Sequence, residues 1–117
     1  MYLEEIRTYC INKPFTEETF PFDNVTLVFK VAGKMFALID IDEAESINLK
    51  CDPERAVELR EQYGGIIPGY HMNKKHWNTV SLNGSIDIRF VYELIDHSYD
   101  LVYQSLPKKL RNELENR

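Results

Sequence analysis

The spacing of apolar residues along the chain changes repeatedly, and each change marks an element boundary. Leu3, Ile6 and Cys10 recur at helical spacing between Tyr2 and Ile11. Lys13-Pro14 ends that run, because proline disfavours a helical backbone in the residue before it. From Thr26 the period drops to two. Leu27, Phe29 and Val31 alternate with Thr26 and Lys30, and Ala32-Gly33-Lys34 reads as a tight turn. Met35, Ala37, Ile39 and Ile41 then share a face, acidic Asp42-Glu43-Ala44-Glu45 makes the next turn, and Ile47, Leu49 and Cys51 face inward. This pattern predicts three antiparallel strands solvated on one side. Phe15 to Asn24 reads as a connecting segment, with Phe20 and Phe22 pinning it to the core.

Helical spacing returns at Asp52-Pro53-Glu54, where Asp52 is the expected N-cap, Pro53 the first helical residue and Glu54 a first-turn acid. Ala56, Leu59 and Tyr63 form its apolar stripe, and Gly64-Gly65 stops it. Ile66-Ile67 starts a short strand and Trp77 to Leu82 is its return. Ser85 or Asp87 caps the longest helix, which carries Ile88, Val91, Ile95, Val102 and Leu106 along one side, widened by Leu94 and Leu101. It reaches about Gln104, and Pro107 follows. A last helix, Lys108 to Glu115, has only Leu110 and Leu114 to bury and is expected to fray. The order α-β-β-β-α-β-β-α with a short final helix makes a small α+β sandwich, one domain over residues 1–117.

Composition narrows the setting. The chain has 117 residues, 44% of them hydrophobic, long enough for a real core without staples. No apolar run approaches the ~20 residues of a membrane span, and the N-terminus lacks a signal-peptide pattern, so a cytoplasmic location is expected. Cys10 and Cys51 have no CxxC spacing and read as buried reduced thiols. The net charge is −5. It is unevenly placed: residues 1–62 hold 7 basic and 13 acidic side chains, and residues 63–117 hold 7 and 6. A protein gripping phosphate backbones by charge is usually basic overall, so any nucleic-acid contact here is local, weak or assisted.

The densest chemistry lies in Gly69-Tyr70-His71-Met72-Asn73-Lys74-Lys75-His76-Trp77-Asn78-Thr79-Val80, which contains two of the three histidines and the only tryptophan. His71 and His76 have no neighbouring thiol or carboxylate, and Lys74 and Lys75 between them repel a cation, so no metal site is expected. No serine sits in a glycine-flanked elbow, and Gly64-Gly65 precedes a strand rather than the helix N-terminus that a phosphate loop needs. No enzyme and no cofactor are expected. Trp77 has the opposite parity to Val80. It falls with Thr79 and Ser81 on the solvated face, free to stack on a base, or else caps the end of the core at the strand start. Acidic Glu4 and Glu5 on the first helix, and Asp40, Asp42, Glu43 and Glu45 between strands, are ordinarily solvated, with a cation or basic partner as the alternative.

Several of these stretches together resemble the MmcQ/YjbR family. They are Pro68-Gly69-Tyr70 followed by His71-Met72-Asn73-Lys74-Lys75-His76-Trp77, the run from Phe29 through Gly33 to Ala37, Pro21-Phe22, Ser98-Tyr99-Asp100-Leu101-Val102 and Leu106-Pro107-Lys108-Lys109. The resemblance covers nearly the whole chain. It implies a CyaY-like α+β fold with helices packed on one antiparallel sheet, and DNA binding through two hairpin wings. The wings fall here at the turn around Gly33-Lys34 and at the His71–Trp77 turn. The residues carried over are Lys34, Lys74 and Lys75 for phosphates, Asn73 for hydrogen bonding, His76 or Trp77 for stacking, and His71 from the same motif. The expected partner is DNA, met by a monomer. A protein adaptor docking an acidic partner on the same surface is the alternative, and a small-molecule binder using His71 and His76 in a cleft is the third.

Overall fold

The computed structural model describes residues 3–116, and the expected helix start at Tyr2 lies outside them. The elements are α1 (Leu3–Ile11), β1 (Thr16–Thr19), β2 (Thr26–Val31), β3 (Lys34–Asp40), β4 (Ser46–Lys50), α2 (Pro53–Gln62), β5 (Ile66–Pro68), β6 (Trp77–Ser81), α3 (Ile88–Gln104) and α4 (Lys108–Glu115). The strands form one sheet in the order β1-β2-β3-β4-β6-β5, each neighbouring pair antiparallel. The fold is therefore α+β, as its pattern of periods requires. No helix among the described residues is long and apolar enough to cross a membrane.

One face of the sheet carries the main core. Leu27, Phe29 and Val31 of β2, Ala37 and Ile39 of β3, Ile47 and Leu49 of β4, Ile66 and Val80 meet Ile6 and Cys10 of α1, Ala56 and Leu59 of α2 and Val91, Leu94, Ile95, Tyr99 and Val102 of α3. Period-two strands against period-3.6 helices give this two-layer packing directly. Asp52 caps α2 by accepting from Arg55 N (3.2 Å), and Asp87, rather than Ser85, caps α3 by accepting from Arg89 N (2.8 Å). The last helix runs to Glu115, with Leu114 buried and Leu110 half-buried. Both cysteines are buried and free, and burial pushes the Cys10 thiol up to about 12.

The structure corrects the sequence reading in three places. Thr16–Thr19 pairs with β2 as a sixth, edge strand. Thr-Glu-Glu-Thr has no apolar alternation to reveal it, and such polarity is how an edge is kept from pairing further. Phe20 and Phe22, expected to pin the segment before β2, are instead exposed (44% and 64%). Third, the register of β2 against β3 shifts between Phe29 and Lys30, so Phe29 faces Ala37 while Lys30 faces Met35. Phe36 is the extra residue of this β-bulge. It enters the main core, and Met35 turns to the opposite face, away from Ala37.

The bulge interrupts the rungs between β3 and β4, whose pairing stops at Ala37 and Leu49. Ser98, fully buried in the middle of α3, fills the gap: its Oγ donates to Phe36 O (2.5 Å) and accepts from Lys50 N (2.9 Å). A helix side chain thus replaces the missing strand-to-strand bond. One residue earlier, His97 Nε2 accepts from Asp52 N (3.1 Å), tying α3 to the start of α2.

Candidate functional site

The register brings Val31, Lys34, Lys50, Trp77 and Pro68 to one end of the sheet. Both expected wings are therefore neighbours in space. The first is a two-residue hairpin with positive φ at Ala32 (49°) and Gly33 (86°), the type I′ geometry that matches strand twist and favours glycine. Lys34 stands exposed beside it.

The second wing, 69–76, is held by its own polar groups. Asn73 Oδ1 accepts from Lys75 N (2.9 Å) and His76 N (3.2 Å), closing an Asx turn. Lys74 Nζ donates to Gly69 O (2.9 Å). Gly69 lies so close to Trp77 that a Cβ there would meet the Trp77 Cβ at 2.8 Å, so only glycine fits. Arg60 of α2 reaches in from behind, donating from Nε to Asn78 Oδ1 (2.7 Å) and from Nη2 to the carbonyls of Lys74 and Trp77. Nothing in the α2 pattern singles out Arg60, which reads there as one more solvated charge.

Trp77 does lie on the face opposite Val80, as parity requires, but that face is not solvated at this point. Trp77 is 8% exposed and packs with Val28 and Leu38, flanked by Met35 and Met72. It is thus buried by a second, small core on the far side of the sheet and is withdrawn from any stacking role. Among the candidates from the sequence, Lys34, His71, Asn73, Lys74 and Lys75 are exposed and His76 is half-buried. Lys50, half-buried at the end of β4, adds a cation that the sequence reading left out. The end is not purely basic, since Lys75 shares a shallow groove with Glu54, Glu58 and Glu61 of α2.

His71 lies apart from the rest. With φ at 59° it turns the chain back over the open face of the sheet, its ring 4.0 Å from that of Tyr70. There Tyr70, His71 and Met72 overhang a cleft of about 480 Å³ whose lining includes Leu38, Asn48 and Thr79 below and Phe22, Asp40, Glu43 and Glu45 around the rim. Thr79 Oγ1 accepts from Tyr70 N (2.9 Å) and donates to Asn48 Oδ1 (2.5 Å), fixing the overhang to the floor. His76 does not line this cleft, so the third reading keeps only one of its two histidines. Among the described residues no group of three His, Cys, Asp or Glu side chains is placed to hold a metal.

With the geometry in place, comparison with known proteins is informative. The YjbR family model matches residues 11–101. The chain belongs to the YjbR family. It is 35% identical to the Escherichia coli K12 protein YjbR over 95% of both chains, and 37% identical to Escherichia coli O157:H7 YbdF over 91% of this chain and 88% of the relative. Both are described as uncharacterised. A crystal structure of a Deinococcus radiodurans DUF419 protein superposes with a TM-score of 0.92 at 44% identity, covering 97% of this chain and 87% of that one. A Pseudomonas syringae protein gives 0.73 at 32% identity, covering 87% and 99%. The matched residues span both wings and the loop that Arg60 clamps.

Proposed function

We propose that this YjbR-family chain is a non-enzymatic, cytoplasmic binding protein whose monomer meets DNA through the hairpin end of its sheet. The observation that carries the reading is the convergence of both hairpin tips, with Lys34, Lys50, Lys74 and Lys75, at one end. Asn73 and Trp77 are engaged internally. The contact is then made by charge on phosphates, with His76 the one remaining candidate for stacking, and it is indifferent to base sequence. With these four lysines as the contacts, the slope of log K against log salt falls between about −2 and −4.

The test is a salt titration of binding to labelled duplex and single-stranded DNA, repeated with Lys34→Ala and Lys75→Ala. These two are preferable to Lys74→Ala, which would also release Gly69 O. Each variant should flatten the slope by about one unit. Binding at low salt that neither variant weakens would refute the wing assignment. A partner captured by the same surface and retained after nuclease treatment would favour the acidic-protein reading instead.

A further inference from the structure

We propose that the cleft beneath Tyr70 and His71 binds a small organic cation, an ammonium or guanidinium on a flat or apolar stem. This rests on a different part of the molecule from the DNA reading, and either can fail without the other.

The cleft has the size of a small-molecule site and three features that converge on one ligand chemistry. Its rim carries Asp40, Glu43 and Glu45, none of which forms a salt bridge among the described residues. Unpaired carboxylates around a concavity attract a cation and repel phosphate. Second, its walls include Phe22 and Tyr70, 64% and 65% exposed. Large aromatics left in solvent in the same cleft as a carboxylate cluster supply stacking surface and ring faces for a cation. Third, Leu38 and Met72 form the apolar part of the lining, which accommodates a hydrocarbon stem rather than a hydrated metal ion.

The walls are held in position. Asp23 Oδ1 accepts from Val25 N (3.0 Å) and Thr26 N (2.7 Å), closing the turn after Phe22. Asp40 Oδ1 accepts from Asp42 N (2.9 Å) and Glu43 N (3.1 Å), and Ile41 N donates to Val25 O (2.8 Å), joining the two rim loops. Together with the Tyr70–Thr79–Asn48 chain, these bonds pre-form the site and lower the ordering cost of binding.

The probe is phenethylamine, compared with its neutral counterpart 2-phenylethanol and with phenylacetate, by amide chemical shifts on the full chain. Phenethylamine should shift the amides of Glu43, Glu45, Asn48 and Tyr70 and saturate in about the millimolar range expected of so small a ligand. The alcohol should bind about tenfold more weakly, and phenylacetate not at all. Glu43→Gln with Glu45→Gln should remove about tenfold of the amine affinity, and Tyr70→Ala a similar factor, while Lys75→Ala changes nothing. Equal shifts from amine and alcohol, shifts centred elsewhere, or amine affinity unaltered in the double variant would each overturn the proposal. The amine–alcohol comparison needs no variant and decides the matter even if a substitution disturbs the loop.

Discussion

Replacing Ser98 by alanine removes one oxygen and orphans two backbone groups, Phe36 C=O and Lys50 N–H. Neither can turn to solvent, because Ser98 is fully buried between the bulge and β4. An unsatisfied buried backbone group costs about 1–3 kcal/mol. Alanine returns about 0.5 kcal/mol through its better helix propensity. For two such groups the net loss expected is about 1.5–5.5 kcal/mol, a large part of the whole stability of a domain this size. In urea, with a denaturant slope of about 1.5 kcal/mol per molar, the midpoint should fall by roughly 1–4 M with no change in slope. Native-state hydrogen exchange gives a local readout: the Lys50 amide should exchange faster relative to its neighbours on β4. Ser105→Ala, at an exposed helix end where Val102 O keeps its backbone bond from Ser105 N when the hydroxyl is lost, should stay within about 0.5 kcal/mol of the parent. A Ser98→Ala loss no larger than that control, or an unchanged Lys50 exchange rate, would show that the bulge is held by packing and not by the hydroxyl.

The remaining predictions concern the same framework. Arg60→Ala should cost about 2 kcal/mol by leaving Asn78, 2% exposed and already with an unpaired Nδ2, without any side-chain partner, and should red-shift Trp77 fluorescence as 69–76 loosens. Burial holds the His97 imidazole below its ordinary value. The unfolded chain therefore binds the proton more readily, and stability should decline as pH falls from about 6.5 toward the native value. That part of the decline should disappear in His97→Gln, as followed by urea midpoints at pH 7.5 and 5.5. Cys10, with its thiol raised to about 12, should resist iodoacetamide at pH 8 in the native protein and react once urea opens the core. Rapid native labelling of Cys10 would contradict its burial.

Much of the architecture was legible because its elements are periodic. The start of α2 follows from Asp52-Pro53, that of α3 is narrowed to Ser85 or Asp87, and the main core follows from alternate strand positions. What escaped the sequence is non-local or non-periodic. A β-bulge inserts one residue without altering composition, so simple alternation puts Met35 on the face of Ala37, opposite to the one it occupies. The Ser98 hydroxyl acts 48 and 62 residues away in sequence, and no local pattern signals such a bond. Trp77 is the most instructive residue. Its parity puts it on the open face, where it does lie, yet that face holds its own apolar cluster of Val28, Leu38 and Trp77. A rule that one face of an antiparallel sheet is wet fails where a loop folds back over it. The motif that drew attention to 69–80 marked residues crowded by structural need, and the cleft beside it is assembled from four separate segments.

The distribution of charge along the strands bears on how a chain of net charge −5 approaches a polyanion. Lys34 and Asp40 stand at opposite ends of β3, separated by roughly 20 Å at the usual rise per strand residue. The screening length of physiological salt is about 8 Å. A phosphate at the Gly33 turn is therefore more than two screening lengths from the Asp40–Glu45 turn and feels that turn's carboxylates only faintly. In dilute salt the same length grows to about 30 Å, and the far end becomes visible as repulsion. For this molecule, lowering the ionic strength should not strengthen association without limit: the on-rate should rise, then level off as the acidic end comes into range.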